Sequence, residues 1–237
     1  MKPGAVVLAE GREIAAGVVR TMASAGGYVE VVGSVRRGRP IVGDVEVLVR
    51  GIGDGEVVQA ILATGAKRGA PNKAGARAPW GPRYYRCVLP RANGQTIGLD
   101  VFVALPPAEW GVLKLIRTGS ADFSQAVVTR LHRYRLKSED GRVIYQSTRA
   151  VIPTPTEEGV LRLARLPWIP PSEREMDNPA TLRAFGREAA AWECADPPGP
   201  ALLPVVTRLP SPPDAADRPP PVLCPICGCV HPRGTCP

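Results

Sequence analysis

The sequence predicts an α+β fold, a mixed β-sheet with flanking helices, and three observations carry that expectation. Apolar runs of strand length recur at Tyr28 to Val32, Val45 to Val49, Tyr84 to Leu89 and Thr96 to Leu105. Longer stretches rich in helix formers lie before, between and after them. The composition then changes: ten prolines fall between Ala195 and Leu223, and four cysteines crowd into the last fourteen residues. The expected order is a sheet domain over 1–107, a small C-terminal subdomain over 108–194, a Pro-rich linker over 195–223 and a cysteine-rich tip over 224–237.

Each element has its own justification. Leu8 to Ala25 mixes Ala, Val, Ile and Met with spaced charges, and Gly26-Gly27 follows as a stop signal, so a helix is predicted there. Tyr28 to Val32 and Val45 to Val49 are dominated by valine, which suits a pleated surface. Glu56 to Ala63 reads as a helix. Lys67 to Gly81 is rich in Gly, Ala, Pro and basic residues and reads as a mobile loop. Asn93-Gly94 marks a tight turn between the next two strands. Two helices, Ala108 to Arg117 and Asp122 to Tyr134, are broken at Thr118-Gly119-Ser120. A small hairpin is expected from Arg135 to Tyr145, turning at Asp140-Gly141. Thr156 to Leu163 opens with a threonine and paired glutamates, a helix-capping pattern. Asn178 to Cys194 predicts a further helix. The prolines of 195–223 exclude helix and sheet and predict an extended, semi-rigid tether.

Composition narrows the function. The chain has 237 residues, of which 44% are hydrophobic, enough for a core. No apolar run reaches the length of about eighteen residues that a membrane span needs. The N-terminal stretch carries charges within its apolar residues and does not fit a signal peptide, so a cytoplasmic location is expected. The net charge of +8 favours an anionic partner, nucleic acid being the commonest. Between Val57 and Leu99 there is no acidic residue, while Lys67, Arg68, Lys73, Arg77, Arg83, Arg86 and Arg91 are basic. Such a block suits contact with a phosphate backbone.

The most informative stretch is VGSVRRGRPIVGDVEVLV, from Val32 to Val49. On a strand, Asp44 and Glu46 point to the same face. Two adjacent carboxylates repel unless a cation lies between them. Taken alone, Asp-x-Glu on a strand is more often a solvated edge. The preceding turn changes the balance. Gly33 and Gly43 permit close backbone approach to phosphate. Ser34 brings a hydroxyl, and Arg36, Arg37 and Arg39 bring charge. Asp100 is a third candidate, set in the apolar run TIGLDVFVAL, where a carboxylate is costly to bury without a partner. Carboxylates are the hard-oxygen ligands a divalent ion takes.

VVGSVRRGRPIVGDVEVLV resembles the catalytic signature of the nucleotidyltransferase superfamily, and more narrowly the palm domain of DNA polymerase beta-like, family X enzymes of short phage or mobile-element type. IGLDVFVALPPAEWGVLKLIRTGSADF is similar to a second block of that family, and LPWIPPSERE to the segment closing its C-terminal subdomain. The resemblance covers roughly Leu8 to Glu175. It implies a nucleotidyltransferase palm and two-metal-ion transfer of a nucleoside monophosphate from a (d)NTP to the 3'-hydroxyl of DNA, with RNA as a second acceptor. Asp44, Glu46 and Asp100 would hold two Mg2+ or Mn2+ ions, and Asp100 would help deprotonate the acceptor. Gly33, Ser34, Arg37 and Gly43 would grip the outer phosphates. Thr118, Gly119 and Ser120 would form the turn under the sugar.

The chain departs from that pattern at several places. Glu46 stands where the polymerases have Asp. Gly98 stands where they carry an Arg beside the third Asp. Ile116 and Arg117 replace the aromatic pair that monitors the sugar and the primer end, and Ser124 and Val128 replace base and template contacts. Sugar discrimination and template dependence therefore do not carry over. Only about thirty residues precede the signature, so helix-hairpin-helix and lyase modules are not expected.

The tip reads CPICGCVHPRGTCP. Cys224, Cys227, His231 and Cys236 have sulfur and imidazole donors at a spacing that resembles a CCHC zinc knuckle, one residue short between the second and third ligands. Tetrahedral Zn2+, one structural ion, fits this set and would supply the folding energy of so short a segment. Cys229 is the spare cysteine or an alternative ligand. Two other functions stay open. One is template-independent nucleotidyl transfer to RNA, protein or a small molecule. The other is a non-catalytic nucleic-acid-binding adaptor.

Overall fold

The computed structural model describes residues 4–71, 76–105 and 109–186, together with the backbone of 222–223 and 230–231. Chain contacts divide into two units, Met1–Phe185 and Gly186–Pro237.

The first unit opens with β1 (Val6–Val7) and α1 (Leu8–Ser24). Helix α1 buries Gly11, Ala15, Val18, Val19 and Met22, a stripe at helical spacing. Then come β2 (Tyr28–Val32), the single-turn α2 (Gly33–Arg36), β3 (Ile41–Val42) and β4 (Asp44–Arg50). The expected glycine-serine turn is thus a turn of helix. Helix α3 (Asp54–Ala63) begins two residues earlier than the sequence suggested, because the Gly53 N–H donates to the Glu56 carboxylate at 2.5 Å.

Lys67 to Gly81 departs from the expected loop at both ends. There β5 (Lys67–Arg68) and β6 (Trp80–Gly81) pair antiparallel with β7 (Tyr84–Pro90). The open edge of β7 supplies hydrogen-bond partners, and Trp80 packs edge-on against Tyr85 at 5.5 Å. Strand β8 (Thr96–Val103) completes the main sheet, in the order β2-β4-β8-β7-β5 with β6 also on β7. Only β4 and β8 run parallel; the other pairings are antiparallel. The result is an α+β fold with a mixed sheet and flanking helices. Odd-numbered residues of β4 and β8, such as Val45, Val47, Leu99 and Val101, are fully buried, with α1 packed on β2 and β4.

The rest of the unit is helical, with a small sheet. Helices α4 (Trp110–Thr118) and α5 (Ala121–Arg133) meet at Gly119-Ser120, where the Ser120 hydroxyl accepts from the Phe123 N–H. Strands β9 (Leu136–Glu139), β10 (Arg142–Tyr145) and β11 (Val151–Ile152) form the expected hairpin plus one strand. Then follow α6 (Glu157–Leu163), capped by Thr156, a 3-10 turn at Pro171–Glu173 and α7 (Pro179–Gly186). The remainder of the helix expected up to Cys194 lies outside the described residues. A core of Val112, Leu115, Phe123, Val127, Leu131 and Leu161 holds these elements together, each large side chain contributing roughly 1.5–3 kcal/mol. Gly111 lets α4 touch the segment before α6: a β-carbon there would collide with the carbonyls of Thr154 and Thr156.

In the second unit, β12 (Val222–Leu223) and β13 (Val230–His231) pair antiparallel. The expected zinc ligands Cys224, Cys227 and Cys236, with Cys229 and most of the Pro-rich segment, lie outside the described residues. Among the described residues, no helix is long and apolar enough to cross a membrane.

Candidate functional site

The carboxylates meet through strand register. Glu46 on β4 lies directly opposite Asp100 on β8, and Asp44 lies opposite Gly98. All three therefore share one face and one end of a parallel pair. Gly98 has a local reason: a β-carbon there would sit 3.1 Å from the Asp44 β-carbon. The small residue leaves room for the first carboxylate.

Their charges are under strain. Burial, then the charges of Asp44 and Asp100, push the Glu46 carboxyl from 4.5 up to about 7, while Arg37 and the Ser34 backbone N–H pull it back. Asp100 is buried. Arg86, opposite it across the β7–β8 ladder, approaches its carboxylate at 3.4 Å. The Tyr84 hydroxyl is pushed up to about 12, chiefly by burial and then by the charge of Asp100. Arg86 supplies the counter-charge that Gly98 omits.

Helix α2 forms the other wall. Gly33 has φ +64, and a β-carbon on it would collide with the Glu46 carboxylate. No other residue type fits here without moving Glu46. Ser34 follows, and its hydroxyl oxygen is buried without a hydrogen-bond partner. A buried polar atom in that state is costly and marks a place for a polar ligand. Gly43 lies half-buried just before β4.

The arginines expected to hold phosphate are already engaged. Arg37 donates to the Thr118 carbonyl at 2.6 Å and to Glu175 at 2.8 Å. Arg36 donates to the Thr118 hydroxyl at 2.6 Å and to both Glu157 oxygens at 2.7 and 2.6 Å. The buried Arg174 also reaches Glu157, and Lys114 pairs with Glu30. Burial alone would raise the Glu157 pKa, but Arg36 and Arg174 reverse this and hold it below the usual carboxylate range. The network ties α2 to the Thr118-Gly119-Ser120 turn. Gly119 is required there because a β-carbon would collide with the Phe123 ring. Arg37 remains close enough for its charge to act on Glu46.

Sequence reasoning missed Tyr84, Arg86, Lys114, Glu157 and Arg174 as parts of this site. Only Arg86 was countable: a hairpin closed between Arg91 and Gln95 sets it opposite Asp100.

Among the described residues, no three His, Cys, Asp or Glu side chains are drawn tightly enough together to cage an ion. Arg86 pairs with Asp100, and the charge of Arg37 acts on Glu46. Hard-oxygen donors on one face, an unpartnered hydroxyl and a cradle that a β-carbon would fill are a chemical fit for a divalent cation carrying phosphates. Set against known proteins, the chain matches no protein-family model and no curated protein.

Proposed function

We propose that this chain is a metal-dependent nucleotidyltransferase of the DNA polymerase beta-like kind, transferring a nucleoside monophosphate from a (d)NTP to a 3'-hydroxyl of nucleic acid. The observation that carries this reading is the register pairing of Glu46 with Asp100, with Asp44 on the same face, beside the Gly33-Ser34 cradle. The motif resemblance points the same way.

Asp44, Glu46 and Asp100 would hold Mg2+ or Mn2+, which supplies charge neutralisation for the triphosphate and the departing pyrophosphate. The Ser34 hydroxyl would donate to an outer phosphate. Arg37, fixed by Glu175 and Thr118, would face those phosphates as a positioned charge. Asp100, relieved of repulsion, would orient the acceptor hydroxyl and draw its proton away. The Thr118-Gly119-Ser120 turn would support the sugar. In the tail, Cys224, Cys227, His231 and Cys236 would hold one structural Zn2+ in a knuckle that contacts nucleic acid.

Arg117 favours a second reading of the acceptor. It stands where an aromatic pair would monitor the sugar, and its guanidinium lies 4.0 Å over the Phe102 ring. The enzyme would then tolerate ribose or dispense with a template.

The test is incorporation of labelled dNTP and NTP on gapped, recessed and single-stranded DNA and on RNA. Wild type is expected to extend at least one acceptor, and folded Asp44→Ala and Asp100→Ala proteins none. Undiminished extension by Asp44→Ala refutes the assignment.

A further inference from the structure

We propose that Arg117 is a positioning cation of the carboxylate row: alongside Arg37 and Arg86 it offsets Glu46 and Asp100 before a metal ion arrives, and its side chain turns further into the cavity it lines when one binds. This rests on the metal-dependent reading above.

The Phe102 ring links Arg117 to the carboxylate row. Phe102 follows Asp100 by two residues on the same face, a step of about 7 Å. The Arg117 guanidinium lies 4.0 Å over that ring, so it stands one row from the Glu46–Asp100 pair. Phe102 in turn stacks on Tyr84, with ring centres 4.9 Å apart and planes 11° from parallel. The charge of Asp100 acts on the Tyr84 hydroxyl. Guanidinium, two rings and carboxylate thus form one continuous wall. The Arg117 pKa is lowered by burial first, with the charges of Glu46, Tyr84 and Asp100 acting against that.

The other nearby cations are less free to move. Arg37 is fixed by Glu175 and Thr118, and Arg86 pairs with Asp100. Among the described residues, no carboxylate lies within ion-pair distance of Arg117, and its side chain keeps contact with solvent although its neighbours crowd it enough to lower its pKa. A ring contact of this kind is worth about 0.5–1 kcal/mol at an exposed site, a weak hold. The backbone cannot retreat, because Arg36 and Arg37 grip the next residue, Thr118. Only the side chain can yield. It already lines a cavity of about 180 Å³, together with Arg83, Tyr84, Phe102, Leu113 and Asp140. Asp140, paired with Arg83 at 3.7 Å, offers the displaced guanidinium a second carboxylate.

The test is Mn2+ binding, measured by calorimetry on the full chain without nucleotide. A unit charge held about 7 Å from a divalent ion would weaken its affinity by about sevenfold in a water-like dielectric, and turning the side chain away recovers part of that. Arg117→Gln, and Arg117→Met as a second neutral variant, are expected to bind Mn2+ about fivefold tighter than wild type. Arg117→Lys should match wild type. Equal or weaker binding by the neutral variants, with unfolding transitions unchanged, overturns the proposal. Asp44→Ala separates the two failures. If it abolishes binding while the neutral variants match wild type, Arg117 has no such role and the metal reading stands. If no variant nor wild type binds Mn2+, both fall.

Discussion

Gly33 and Glu46 meet at the residue scale, and Gly33 leaves no room for a side chain. Gly33→Ala would force a β-carbon into the Glu46 carboxylate at φ +64. The left-handed backbone alone costs roughly 1–2 kcal/mol for a residue other than glycine, so we expect a lowered melting transition together with lost incorporation. A variant with normal activity would show that Glu46 need not stay where it is. Glu46 also sets a pH dependence. In the metal-free protein it keeps its proton up to about 7, against 4.5 for the ordinary carboxyl. The folded state then binds more protons than the unfolded chain across that window. Its contribution to stability is complete below about 4.5 and disappears as pH rises through about 7. Melting curves from pH 4.5 to 7.5 should show this loss in wild type and not in Glu46→Gln. Metal binding must expel the same proton, so apparent Mg2+ affinity should weaken about tenfold per pH unit below about 7. Parallel melting profiles for the two proteins would contradict the assignment. Much at this scale was legible in the sequence: Asp44, Glu46, Asp100 and the glycines stand in one motif or one strand. The unpartnered Ser34 hydroxyl was not, because burial depends on what folds over α2.

Elements converge on Glu157. It opens α6, yet it takes Arg36 from α2 and the buried Arg174 from the far end of the unit. Removing one member of a buried ion network strands the others without compensation, at about 3–5 kcal/mol. Glu157→Ala should lose stability of that order in urea titration, and Glu157→Gln less, since it keeps part of the hydrogen bonding. A loss below about 1 kcal/mol for the alanine variant would mean that solvent already screens the network. The sequence showed these elements but not this junction. Helices α1, α4 and α5 followed from periodicity and stop signals, and Ser120 and Thr156 cap as their residue types predict. Strands β5 and β6 were missed because two-residue edge pairings leave almost no pattern. Glu157 and Arg174 were missed because their partners lie far away in sequence.

Across the whole molecule, charge and site occupy the same sheet. Lys67, Arg68, Arg77, Arg83 and Arg86 are exposed on or beside β5, β6 and β7, the strands leading to Asp100. Arg91, counted with them from sequence, is instead drawn to Glu10 on α1 at 2.5 Å. If the exposed group tracks a phosphate backbone, affinity for DNA should fall steeply with salt. The double variant Lys67→Glu, Arg77→Glu should flatten the logarithmic salt slope by about two. An unchanged slope in anisotropy titrations would move the nucleic-acid surface elsewhere. The sheet, its helices and the carboxylate row follow from sequence with few amendments. The acceptor does not, because residues such as Arg117 depart from every pattern that would identify it. The central claim is that Asp44, Glu46 and Asp100 gather around divalent ions beside Ser34. Crystals grown with Mn2+ and a non-hydrolysable nucleotide test it directly. The account predicts anomalous peaks between those three side chains and an outer phosphate on the Ser34 hydroxyl. Nucleotide bound elsewhere, with no manganese between Glu46 and Asp100, would contradict it.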